Sequence, residues 1–241
     1  MMVILLLCSA LCLCSGCAGR QGQLSSQGRD AIKYISEKYQ QEFTPLSYDL
    51  SDYMSDRDVV ECYTEGMDPE NEHVSIYITK KDGKTVYHDN YADFLLRDTI
   101  EQHVTNVAKN EFRECKTFKS TGAAPLPDKL NKNSTLDDMY RQNPDYEIWC
   151  VVLIREEPDL SYDDYAKKID AIEKQLSSEG HIYIIQIYAV SDELYESTQR
   201  YQRDLFDSYC VKNDSADGSN LFYIYNATID RENVTVYSPA Q

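Results

Sequence analysis

The sequence predicts an α+β fold, and three of its features point to that class. "HVSIYITKKDGKTVYHDNY", residues 73–91, alternates apolar and polar side chains on either side of Asp82-Gly83, the pattern of an antiparallel hairpin. Ile32, Ile35, Tyr39 and Phe43, and later Leu96, Ile100, Val104 and Val107, recur at spacings of three and four, the pattern of helices with one buried face. Two long apolar runs, "YEIWCVVLI" and "HIYIIQIYAV", flank a third helical stripe, so strand, helix and strand follow one another. Together these features give an antiparallel, hairpin-rich N-terminal half with helices, and a β-α-β-α-β-β C-terminal half.

The chain opens on "VILLLCSALCL", residues 3–13, an apolar run shorter than the roughly 20 residues a membrane-spanning helix needs. Its length suits the core of a signal peptide. Ser15-Gly16-Cys17 follows, and then a polar stretch, Gly19 to Gln27, in which Leu24 is the one apolar residue. This arrangement resembles the lipobox of bacterial lipoproteins. The resemblance implies that Cys17 is alkylated with diacylglycerol and becomes the first residue of the mature chain. The sequence departs from that pattern in carrying Cys14 where leucine is usual, and in having no Lys or Arg before the apolar core. An ordinary cleaved signal peptide and an uncleaved N-terminal anchor are the alternatives. A metal cluster of Cys8, Cys12, Cys14 and Cys17 lacks the distal ligand pair that such spacing demands.

Residues 1–16 thus read as a signal peptide and 17–28 as a lipidated tether of Gly, Gln and Ser. An α+β unit follows over 29–121. Its first helix is ended by Thr44-Pro45, "DVVECYT" is a strand before the hairpin, a helix runs from Ala92 to Asn110, and "ECKTFKS" is a further strand. Gly122 to Asn133, with Pro125 and Pro127, marks a boundary or a long surface loop within one continuous domain. The second unit spans 134–241. "YEIWCVVLI" is apolar on both faces, as in a strand covered on both sides. Ser161 and Asp164 open a helix whose stripe is Tyr165, Ile169, Ile172 and Leu176, and Gly180 stands just past its end. A right-handed crossover then joins parallel neighbours. Ser191 opens a helix carrying Leu194, Thr198, Tyr201 and Leu205, and "LFYIYNATI" with "NVTVY" closes the chain as a hairpin turning at Asp230 to Glu232.

Acidic residues outnumber basic ones 41 to 24, a net charge of -17 that repels nucleic acid and anionic lipid. A protein of this charge is held at a membrane by a lipid rather than by a basic surface. Beyond the signal stand Cys62, Cys115, Cys150 and Cys210, an even number that permits two disulfides; small buried residues are an equally good reading. Cys62 with Cys115 is the pair to test. Asn133, Asn213, Asn226 and Asn233 lie in sequons, which matter only in a eukaryotic secretory route.

Candidates for chemistry each meet a plainer explanation. "NDSADGSN", from Asn213, places Ser215, Asp217 and Gly218 as in a calcium loop but puts Ile224 where the bidentate Glu must stand. "MDPENEH" gathers Asp68, Glu70, Glu72 and His73 in what turn chemistry alone accounts for. "EEPDLSYDDY" crowds acids at a helix N-terminus, where the helix dipole favours them, although paired acids also serve glycoside hydrolysis. His73, His88, His103 and His181 are the only partners available to a catalytic thiol, and Cys150 sits in an apolar run. Twenty tyrosines offer either an aromatic binding surface or good strand residues for a half-wet sheet.

The lipobox-like start, tether and acidic tyrosine-rich body resemble the uncharacterised surface lipoproteins of Gram-positive bacteria, specifically over residues 1–27. The resemblance implies a place, the outer face of the cell membrane, and no mechanism. The expectation is a non-enzymatic protein without metal or cofactor, binding a protein, peptide or glycan of the envelope. The alternative is an extracytoplasmic hydrolase that uses carboxylates.

Overall fold

The computed structural model describes residues 24–49, 57–122, 124–198, 221–229 and 234–237. Cys17 and the "NDSADGSN" stretch lie outside the described residues, as do Tyr201 and Leu205. The fold is α+β, with a four-stranded antiparallel sheet followed by a five-stranded mixed sheet.

Helix α1 spans Ser26–Tyr39, and Ser25 caps it by accepting from the Gly28 amide at 3.0 Å. The helix therefore begins inside the stretch expected as tether. It ends at Gln40, whose φ of 54° is left-handed, so Phe43 leaves the expected helical stripe and opens strand β1, Phe43–Asp49. Pro45, which removes a ladder donor, is tolerated because β1 is an edge strand with an irregular register between Pro45 and Ser47. Strands β2 (Asp58–Thr64), β3 (Val74–Lys81) and β4 (Lys84–Asp89) complete the sheet in the order β1-β2-β3-β4. The β3–β4 turn has positive φ at both Asp82 (52°) and Gly83 (75°), as the tight hairpin turn requires. Val60, Cys62, Val74, Ile76 and Ile78 face Ala31, Ile35 and Tyr39 of α1 in the first core.

Helix α2, Tyr91–Lys109, serves both halves. Its first turn gives Tyr91 and Phe94 to the first core; Ala92, Leu96, Ile100, Val104, Val107 and Ala108 enter the second. Each of the larger aliphatic groups stabilises the fold by about 1.5–3 kcal/mol on burial. Strand β5, Cys115–Lys119, then pairs antiparallel with β6, Glu147–Arg155. The stretch expected as a boundary is therefore flanked by strands of one sheet, since β5 pairs with β6 in the second sheet. The intervening segment is stitched to β4 by the Leu126 amide on the Asp89 carbonyl at 2.9 Å, and it contributes Leu126 and Leu130 to the second core. It also holds a helix the sequence reading did not include, α3, Leu136–Gln142, capped reciprocally by Thr135 and Asp138.

Helix α4, Tyr162–Ser177, starts with the expected capping box of Ser161 and Asp164, and Gly180 follows it with a φ of 74°. Strand β7, Ile182–Val190, runs parallel to β6, as the strand–helix–strand reading requires. Helix α5, Asp192–Ser197, precedes β8 (Leu221–Ile229) and β9 (Val234–Tyr237), which pair antiparallel as a closing hairpin. The sheet order is β5-β6-β7-β8-β9. Among the described residues, no helix is long and apolar enough to cross a membrane.

Candidate interaction surface

Strands β6 and β7 of the second sheet bury one face and leave the other covered only in part. Ile148, Cys150, Val152 and Ile154 of β6 and Tyr183, Ile185, Ile187 and Ala189 of β7 point into the core under α2 and α4. The opposite face is closed at one end by α5, where Val151, Leu153, Tyr188, Val190 and Tyr195 pack together. At the other end Trp149 stands 49% exposed on a central strand. The expectation that "YEIWCVVLI" is covered on both sides holds from Val151 onward and fails before it.

Two cations fasten α5 over its end of this face. Lys116 Nζ donates to the carbonyls of Tyr195 and of Thr198, the latter at 3.2 Å, and lies 4.4 Å from the Tyr195 ring centroid. Burial lowers the Lys116 pKa, against the pull of Glu196. Arg155 also lies over Tyr195, at 4.6 Å, and pairs with Glu114 and Asp192, each at 2.9 Å, and with Glu196. The hydrogen bonds that Arg155 donates to Glu196 and Asp192 raise its pKa further.

The open end has the reverse composition. Trp149 Nε1 donates to Glu147 Oε2 at 3.0 Å, and both residues are exposed. Register places Ile184 of β7 directly beside Trp149, with Ile182 and Gln186 on the same side, all three half-buried. Trp149 is the only tryptophan in the chain, so the sequence carried a signal for this surface: a Trp two residues from a Glu, in strand alternation.

The residues singled out from sequence fall mostly into structural roles. Asp68 binds its own turn, through Asn71 and the Glu70 amide, and these hydrogen bonds lower its pKa. Glu72 accepts the Asp68 amide at 3.0 Å and pairs through its other oxygen with Arg97 of α2, and His73 lies 3.8 Å from Glu61. Asp164 caps α4, while Glu157 receives Arg113 at 3.5 Å, so the acids of "EEPDLSYDDY" are dispersed over helix start and loop. His88 pairs with Asp128 at 2.6 Å and His103 with Glu179 at 2.8 Å. His181 stacks on Tyr140. Among the described residues, no group of three or more His, Cys, Asp or Glu side chains is placed to hold a metal ion.

Cys62 and Cys115 do not pair. Cys62 sits in the first sheet, its thiol 3.6 Å from the Val74 carbonyl; Cys115 sits in the second, 3.5 Å from the Thr105 carbonyl. Both are free and buried, as is Cys150. Burial pushes the Cys115 thiol up to about 11 and that of Cys150 up to about 12, which leaves them protonated and unreactive at neutral pH.

Many of the described tyrosines serve the interior rather than an aromatic surface. Tyr34 and Tyr39 both donate to the fully buried Asp89, whose carboxylate also takes Lys38 Nζ at 2.7 Å and the Tyr91 amide at 3.0 Å. Burial, with Asp89 adjacent, raises both tyrosine pKa values. Four residues on, buried Asp93 accepts from Lys119, Tyr146 and the Gly122 amide, and Asn90 binds the Ser75 amide and the Gly122 carbonyl. This network joins the end of β4, the start of α2 and the second sheet. Its carboxylates already hold their donors out of solvent, so it is a structural knot rather than a catalytic centre.

No protein-family model matches the chain, and no curated protein matches it. Among solved structures it is similar to a DUF5037 family protein from Ruminococcus gnavus, with 10% identity and a TM-score of 0.45 over 86% of this chain and 92% of that one.

Proposed function

We propose that this protein is a non-enzymatic binding protein, tethered by a lipid on Cys17 to the outer face of the cell membrane, which engages an envelope partner through the open end of its second sheet. The observation that carries the binding reading is the half-exposed Trp149 on a central strand, beside Ile184 and away from the part closed by α5. A buried central strand is the usual outcome when a sheet contains a parallel pair, so an exposed indole there is a departure that a partner accounts for. The lipid anchor is supported by Ser15-Gly16-Cys17 after the apolar run.

The test has two readouts on one bacterial membrane preparation. Intact mass should give a mature chain beginning at Cys17 and carrying a diacylglyceryl group. A photo-crosslinking phenylalanine in place of Trp149 should yield an adduct in living cells that the same residue in place of Glu37, exposed on α1, does not. An unmodified Cys17 overturns the anchor; equal yield, or none, at both positions overturns the binding face.

A further inference from the structure

We infer that the partner docks at the open end of the second sheet through a lysine- or arginine-bearing polypeptide segment. The inference rests on the binding reading of this face and adds the chemistry of the occupant. Trp149 and Glu147 alternate with buried Tyr146, Ile148 and Cys150, so strand pleating sends the indole and the carboxylate to the same exposed side. Their hydrogen bond restrains the ring while Glu147 Oε1 keeps no partner among the described residues.

The closed end of the same face shows what such an arrangement holds. There Tyr195 lies beneath both Lys116 and Arg155, and Glu114, Asp192 and Glu196 complete the charge balance. The outward positions of β5, β6 and β7 carry two cations in all, Lys116 and Arg155, and α5 engages both. Trp149 and Glu147 are therefore an aromatic ring and a carboxylate with no outward cation of β5, β6 or β7 left to meet them, in a chain of net charge -17. A positive partner is attracted by the whole field and seated by the indole.

The weakness of a single charge contact selects a segment over a small amine. One exposed cation over an aromatic ring contributes about 0.5–1 kcal/mol, far less than association costs a free molecule. A polypeptide adds apolar contact with Ile182 and Ile184, which are half-buried beside Trp149.

The sole tryptophan makes the test direct, because Trp149 emission reports on this site and no other. The full-length membrane-extracted protein is titrated, at physiological ionic strength, with an alternating Lys-Val peptide, its Glu-Val counterpart and a neutral N-acetylglucosamine oligomer. The Lys-Val peptide should give a saturable change and the other two none. Glu147→Gln should weaken it about two- to fivefold, the loss expected for one exposed charge contact. Glu37→Gln, which removes an equal charge from exposed α1, should leave it unchanged. Equal weakening by both substitutions would reduce the effect to diffuse attraction and overturn the site. A response to the oligomer alone would overturn the cation while keeping the binding face. A change with protein concentration alone would identify a second copy as the occupant and overturn the inference. Silence toward every probe also overturns the cationic partner, and the cross-linking at position 149 decides separately whether the face binds at all.

Discussion

Lys119 Nζ lies 2.5 Å from Asp93 Oδ1 with both side chains buried, an ion pair that bolts the second sheet to the helix that also closes the first. Tyr146 and the Gly122 amide satisfy the rest of the Asp93 carboxylate. Asp93→Ala strands a buried ammonium and should cost about 3–5 kcal/mol in urea unfolding. The double change Asp93→Leu with Lys119→Met removes both charges and should lie closer to the native stability than either single change. A single change within about 0.5 kcal/mol of the native protein would show that the pair is not desolvated.

Glu173 of α4 is buried, and its Oε1 has no hydrogen-bond partner among the described residues. Burial, with Asp170 nearby, raises its pKa from 4.5 to about 7. The unfolded chain loses this proton near 4.5 and the folded chain near 7, so between those values the unfolded state binds fewer protons. Stability accordingly falls as pH rises through that window, by on the order of 3 kcal/mol from this group. Thermal melts across it should show the decline in the native protein and a shallower one in Glu173→Gln, which should be the more stable at pH above 7.

The three described thiols should behave as interior groups. Iodoacetamide at mildly alkaline pH should label Cys62, Cys115 and Cys150 slowly in the folded protein and completely in denaturant. Peptide mapping without reductant should recover no Cys62–Cys115 cross-link. Rapid native labelling at any of the three would contradict their burial.

The β3–β4 turn depends on a backbone conformation that β-branched residues resist. Gly83 has a φ of 75° with open space around its Cα, so Gly83→Val is opposed by backbone strain and not by a clash. It should destabilise by about 1–2 kcal/mol in chemical denaturation. Gly83→Asn should cost less, since Asn tolerates this region.

What could be read from the sequence was local. The Asp82-Gly83 hairpin, the capping box of Ser161 and Asp164, Gly180 past the helix end and the parallel β6–β7 pair are each specified by residues within a few positions or by one strand–helix–strand run. Strand β1 was obscured because Phe43 continues the helical spacing of α1 and Pro45 reads as a stop. Helix α3 carried its signature in Thr135 and Asp138 but is only 7 residues long, too short for a periodic stripe. The sheet to which β5 belongs is set by pairing with a strand beyond a proline-marked loop, and no local pattern encodes that. The same limit applies to "HDNYADF": Asp89, Asn90 and Asp93 read as a polar helix start, while their burial depends on Tyr34, Tyr39, Lys119 and Tyr146 far away in the chain. Trp149 reads as one more apolar residue of "YEIWCVVLI", because its exposure depends on how much of the sheet face α5 covers.

The passage of α2 from one core to the other also sets an order of assembly. Every strand of the first sheet lies between residues 43 and 89, and its pairings join sequence neighbours. The second sheet needs β5 at residue 115 to find β6 at 147, a parallel partner after a whole helix, and strands as late as 237. A chain emerging N-terminus first can therefore settle its first sheet early, while Leu96, Ile100, Val104 and Val107 stay uncovered until the last third arrives. Slow emergence would hold that apolar stripe open to other chains, so the cost of interrupted synthesis falls on aggregation through α2 rather than on the hairpins that precede it.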